Sequence, residues 1–292
     1  MTAPVTVSVV KKALAPRPDD AHKGTMGTLL SICGSYGMAG ACLLSSRAAL
    51  RSGVGLLKCA LPKSIYPIAA GSIWESVYLP LDETPDGRAS AANLPVLLAE
   101  KADAVLLGCG LSVCDDTRAL VRGFLAHGEK PLLLDADALN CIADDPSVLR
   151  SSKVPVVLTP HPAEMGRLCG VSAKAVNADR EKTAMTFAAS YGAVVVLKGA
   201  GTVTAAPDGR AVINTTGNSG MATGGSGDVL AGICASLLAQ GGDPFDCAAA
   251  AVHLHGLAGD LAAARLGKIS MLPTDLLDAL PQAFLSVTEE MR

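Results

Sequence analysis

The feature that most restricts this chain is a series of short, continuous apolar runs. They are "GTLLSICG" (27–34), "GLLKCALP" (55–62), "ESVYLPL" (75–81), "AVLLGCG" (104–110), "PLLLDAD" (131–137), "VPVVLTPH" (154–161) and "AVVVLKG" (193–199). A half-exposed strand alternates apolar and polar residues, and several of these runs do not alternate. Such strands must be covered on both faces. Segments long enough for crossover helices separate them. In "GACLLSSRAALRSG", Ala41, Leu44, Ala48 and Arg51 fall at helical spacing. This rhythm specifies an α/β fold, with a mostly parallel sheet between two layers of helices.

The rhythm breaks at "GTVTAAPDGRAVINTTG", where two alternating runs flank Pro207-Asp208-Gly209 and predict a hairpin. Two long helices are expected over roughly 227–240 and 244–266, followed by a polar C-terminal tail. No linker, repeat or low-complexity segment stands out. One domain over residues 1–292 is the economical expectation.

Composition narrows the function. Half of the 292 residues are hydrophobic, enough for a substantial core. A net charge of -3 argues against a nucleic-acid footprint, and 3% aromatics against base-stacking platforms. The nine cysteines are odd in number and scattered, with no CxxC pair or Cys/His cluster. Most lie in apolar runs, as small buried hydrophobes in a reducing compartment would, so a cytoplasmic location is expected. The N-terminus lacks the pattern of a secretory signal. No membrane span is expected. The nearest candidate, "AAAAVHLHGLAGDLAAARLG", carries His253, His255 and Asp260 and reads as a buried helix.

In open parallel sheets, ligands collect at the carboxyl ends of the strands. The polar residues there are Gly108 and Gly110, Asp135 and Asp137, Thr159, His161 and Glu164, and Lys198 and Gly199. Two glycine-rich turns compete to hold a phosphate. "GSYGMAGA", with Gly34, Gly37 and Gly40, departs from the dinucleotide fingerprint. In "GNSGMATGGSGDVLAGICASLLAQ" (217–240), Gly220 and Gly225 have Walker A spacing, but Ser226 replaces the lysine. The second turn has the stronger physical basis. Val229, Leu230, Ile233, Leu237 and Leu238 place a helix start near Ser226, where free amides and the dipole favour an anion. Asp228 beside that anion hole is either a dipole partner or a general base acting on a hydroxyl.

"GGSGD" opening a late helix resembles the anion-hole and base motif of the ribokinase-like superfamily. The whole chain resembles the ADP-dependent NAD(P)H-hydrate dehydratases. The match runs from "HKGTMGTLLSICGSYGMAGACLLSSRAALRSGVGLLKCALP" through "LLGCGLS", "LLLDADALN", "VVLTPHPAEMGRL" and "VVLKGAGTVTAAPDG" to "NSGMATGGSGDVLAGI". The resemblance implies a three-layer α/β/α fold and repair of hydrated NADH and NADPH, the S epimer of NAD(P)HX. The ring hydroxyl would attack the terminal phosphoryl of ADP, with ATP as the alternative donor. Loss of phosphate would then restore NAD(P)H and leave AMP.

By the same resemblance, Asp228 is the base, and the amides of Gly225, Ser226 and Gly227 form the anion hole. Lys198, Gly199, Ala200, Gly201, Thr202 and Gly227 bind the nucleotide. Ala41, Gly110, His161 and Asp228 hold the hydrated dinucleotide. Glu164, in "HPAE" where sugar kinases carry Asn-x-x-Glu, would organise Mg²⁺ through water. The family also implies a homotetramer and a partner epimerase, for which this chain has no room. A hydroxyethylthiazole or pyridoxal kinase-like enzyme is the alternative, with "PHPAE" and "HKG" favouring the dehydratase. A non-catalytic nucleotide-binding regulator would have lost the base, and Asp228 is present.

Overall fold

Successive residues of a strand point to opposite faces, so a strand covered on both sides divides its side chains between two cores. The computed structural model describes residues 2–14 and 17–289. Among them, one sheet contains β1 (Ala3–Pro4), β2 (Thr28–Ile32), β3 (Leu56–Pro62), β4 (Val77–Leu81), β5 (Ala104–Leu107), β6 (Leu132–Leu134), β7 (Val156–Leu158), β8 (Val194–Leu197), β9 (Val203–Ala205) and β10 (Ala211–Ile213). The order is β1-β10-β9-β8-β7-β6-β5-β2-β3-β4. Pairing is parallel except where β9 runs against β8 and β10.

One helical layer holds α1 (Val7–Ala13), α2 (Ala39–Arg51), α3 (Tyr66–Ala70), α10 (Ser226–Ala239), α11 (Pro244–Leu266) and α12 (Pro273–Glu289). The other holds α4 (Leu94–Ala99), α5 (Asp115–His127), α6 (Asp137–Cys141), α7 (Pro162–Cys169), α8 (Ala173–Ala178) and α9 (Arg180–Tyr191). Along β5, Ala104 and Leu106 join the first core while Val105 and Leu107 join the second. This is the expected ribokinase-like three-layer α/β/α architecture.

The hairpin forms as predicted. Ala206 and Arg210 close it with a 2.9 Å backbone bond around Pro207-Asp208-Gly209. The helix at 244–266 also forms, with Pro244 in its first turn and the Asp243 carboxylate accepting the Phe245 and Asp246 amides. It is long and apolar enough to cross a membrane by composition, yet 67% of its apolar window is buried in this fold.

Two expectations need correction. The C-terminal segment is not a polar tail: Leu276, Leu277, Leu280, Ala283 and Val287 are buried along one side of α12. Their helical spacing was masked by intervening polar residues and by Pro281, which the helix accommodates. Several strands also stop sooner than their apolar runs. β5 ends at Leu107 because Gly108 turns at φ +124, and a side chain there would overlap the Asp135 carbonyl. That close approach sets the spacing of the site.

Candidate active site

β5, β6, β7 and β8 are parallel, so their carboxyl ends open on one edge of the sheet. α10 brings its N-terminus to the same edge. Gly225 caps it in the left-handed region at φ +97, a conformation glycine adopts without penalty. The first-turn amides of a helix have no partner within it. The Ser226 amide makes a long 3.4 Å bond to the Thr223 carbonyl, leaving those of Gly227 and Asp228 as the freer donors. Of the expected Gly225–Gly227 set, Gly227 therefore presents the amide with the fewest competing partners. Ser226 is buried, and its hydroxyl lies 3.2 Å from His255 Nε2 on α11. Burial drives that imidazole down to about 4, so it is neutral at ordinary pH.

Asp228 stands beside these amides in a half-buried position. Burial, followed by the charge of Asp135, pushes its carboxyl up to about 7. Cys109 and Lys198 pull it back down. A carboxylate titrating near neutrality can exist as a base and still hold a proton. Asp135 itself is almost completely buried. It accepts a 2.6 Å bond from the Thr159 hydroxyl, a 2.8 Å charged bond from Lys198 Nζ and a 3.6 Å contact from Cys109 Sγ. Cys33 and burial keep Cys109 a thiol. Cys109, Asp135 and Asp228 present ligand atoms within 4.8 Å of one another, but the cation beside them is the Lys198 ammonium.

Lys198 is not a solvated strand-end lysine. Burial pulls its ammonium down, but the carboxylates of Asp135 and Glu164 outweigh that and hold it above its usual range. A Cβ on Gly227 would lie 3.3 Å from Nζ, so the charge faces the helix N-terminus across a gap that a side chain at 227 would narrow. The rest of the predicted nucleotide segment is a tight loop. Thr202 Oγ1 accepts from the Gly199 amide at 3.2 Å and donates to its carbonyl at 2.9 Å. Arg180 donates to the carbonyls of Ala200 and Gly201.

Ala41 and Gly110 meet on the opposite wall: a Cβ on Gly110 would lie 2.8 Å from that of Ala41. Ser35 fixes this wall with a 2.8 Å bond to the Gly110 carbonyl. His161 caps α7, its Nδ1 accepting the amides of Ala163 and Glu164 at 3.1 and 3.2 Å. Glu164 completes a capping box through Oε2, 2.8 Å from the His161 amide, while Oε1 lies 3.4 Å from His161 Nε2. Both residues therefore carry a structural duty unforeseen in sequence. "HKG" lies before β2, toward the amino ends of the parallel strands.

The same edge gathers residues that were less conspicuous in the sequence. Asp135 stood out only as one polar strand end among several, Cys109 as a buried hydrophobe and His255 as a helix residue. "LLLDAD" and "LLGCG" did place the first two at strand ends. Nothing local linked His255 to Ser226, 29 positions away.

The geometry has counterparts. The sequence profile of the Carb_kinase family, described as NAD(P)H-hydrate dehydratase, matches residues 29–282. A bifunctional NAD(P)H-hydrate repair enzyme of Moorella thermoacetica is 44% identical over 98% of this chain and 54% of its own length. This chain spans about half the length of the first such curated relatives. An ADP-dependent (S)-NAD(P)H-hydrate dehydratase of Neisseria meningitidis serogroup B is 40% identical, over 84% of this chain and 80% of that protein. The solved ADP/ATP-dependent NAD(P)H-hydrate dehydratase of Bacillus subtilis, co-crystallised with ATP/Mg²⁺, superposes with TM-score 0.87 at 33% identity, covering 98% of this chain and 99% of that one. With its profile matched through both glycine turns and every strand end of the site, the chain belongs to the NAD(P)H-hydrate dehydratase family.

Proposed function

We propose that this protein dehydrates the S epimer of NAD(P)HX at the expense of ADP, releasing NAD(P)H, AMP and phosphate. The observation that carries the proposal is the meeting, at one helix N-terminus, of a carboxylate raised to about 7, free amides and the Lys198 ammonium. Hydroxide is a poor leaving group and phosphate a good one, so the ring hydroxyl is first phosphorylated. Asp228 takes the hydroxyl proton as the oxygen bonds to the terminal phosphorus and the bond to AMP breaks. The amides at the start of α10 and Lys198 stabilise the charge on the transferring group. The C–O bond then breaks with loss of a ring proton, and phosphate departs.

Ala41, Gly110 and His161 hold the dinucleotide in this scheme, and residues 198–202 with Gly227 hold the nucleotide. Bound Mg²⁺ would neutralise phosphate charge. Glu164 suits it only through water, because a backbone amide occupies Oε2 and Oε1 faces His161. A cytoplasmic homotetramer supplied by a partner epimerase fits the same scheme. The bifunctional relatives support that partner, and exposed Ile68, Trp74 and Val77 near the edge strand β4 support self-association.

The test mixes purified protein with hydrated NADH and either ADP or ATP, and follows the reduced-nicotinamide absorbance. Recovery of the band with AMP or ADP release is expected. A stable phosphorylated product without recovery would instead reveal a kinase, a reading the family match does not favour.

A further inference from the structure

Asp135 is a charge with no route to either substrate. It is 1% exposed, and each of its carboxylate oxygens is engaged within the protein. Its backbone is equally fixed. The amide donates to the Leu107 carbonyl at 3.0 Å, and the carbonyl fills the space that Gly108 leaves by having no side chain. Oδ1 receives both the Thr159 hydroxyl at 2.6 Å and Lys198 Nζ at 2.8 Å. The other end of this arrangement is the anion hole, because Nζ lies 3.3 Å from where a Gly227 Cβ would stand. A lysine side chain has four rotatable bonds and a compact charge, so it needs an anchor to point one way.

We propose that Asp135 is a positioning residue, anchored by Thr159, that aims the Lys198 ammonium at the terminal phosphate of the bound nucleotide. The inference deepens the functional proposal above and rests on its placement of the nucleotide. A group aimed at the terminal phosphate distinguishes ADP from AMP, which lacks that phosphate. A residue that only stabilised the fold would affect both nucleotides alike.

Calorimetry with the full-length protein tests this without requiring turnover. In Asp135→Asn, ADP affinity is expected to fall about tenfold, the worth of one charge-assisted hydrogen bond, while AMP affinity stays within about twofold of the parent. Equal weakening of ADP and AMP, unchanged ADP affinity, or a parent that binds ADP no better than AMP would each overturn the inference. Thr159→Val provides the same comparison if Asp135→Asn does not fold. It keeps the charge and removes one anchor, so ADP affinity should fall about threefold with AMP unchanged, and an unchanged ADP affinity overturns the inference. A parent that shows these binding differences but never restores NADH would sink the dehydratase reading and leave the role of Asp135 standing.

Discussion

The turn at 34–40 opens α2 and the turn at 217–225 opens α10, and the two helices pack so closely that a side chain on Gly232 would overlap the Ser45 carbonyl. Both turns are rich in glycine and both end at a helix N-terminus on the same face of the sheet. They differ in what surrounds them. At the first, a Cβ on Gly37 or Gly40 would meet nothing within 4 Å, Tyr36 is 73% exposed, and the first turn of α2 has no acidic residue. At the second, Asp228, Lys198 and the Ser226–His255 pair converge within the first turn. Glycine and a helix dipole make a place where an anion can sit. Burial and the Asp135 charge at a neighbouring strand end add to it a carboxyl held near neutrality.

Removing the proposed base should break the contrast most completely. Asp228→Asn keeps the shape and cannot accept the proton, so turnover of hydrated NADH should fall at least about a hundredfold with near-normal ADP binding. Its stability separates the two roles Asp228 could have. The folded carboxyl is raised from 3.8 to about 7, so the stability its proton adds is complete below 3.8 and lost as the pH rises through about 7. The asparagine variant should therefore melt no lower than the parent at about pH 8 and lose any advantage at about pH 5. A variant that melts early but turns over normally per folded molecule would make Asp228 a mere dipole partner.

Filling the second turn should have the next largest effect. Gly227→Val places methyl groups against Lys198 Nζ, and ADP affinity should drop by about tenfold or more in calorimetry while the fold is kept. Unchanged affinity would remove the nucleotide phosphate from this turn.

A pH profile then sharpens the comparison without any substitution. The groups facing Asp228 are Cys109 after β5, Asp135 and Asp137 after β6, and Lys198 after β8, with neutral His255 reaching Ser226 from α11. With burial and Asp135 holding the proposed base, Asp228, at about 7, kcat/KM should fall about tenfold per pH unit below that value. A flat profile between about pH 5 and 7 would mean that the base is another group.

The smallest effect is expected at the first turn. Gly40→Ala adds a methyl group clear of other protein atoms in the first turn of α2, beside the proposed dinucleotide residue Ala41, so it should change stability by less than about 1 kcal/mol and leave ADP affinity unchanged. A loss comparable to that of Gly227→Val would erase the distinction between the two turns.

The sequence by itself determined the layers and the edge at which the polar strand ends gather. Continuous runs such as "AVLL" and "VVVL" can be stable only when helices cover both faces, and parallel strands put Asp135, His161 and Lys198 at one edge. The position of α10 and the isolation of Asp228 at its start were equally legible, because helix periodicity and glycine freedom are local. α12 was harder to see because its buried stripe is interleaved with polar residues. The partners of the charged groups were decided only by the tertiary structure. Asp135 meets Lys198 across 63 positions and Ser226 meets His255 across 29, contacts that no local preference encodes. The same holds for Asp228. An aspartate in sequence carries an ordinary carboxyl, and only the burial and neighbouring charge supplied by the assembled strand ends raise it to about 7.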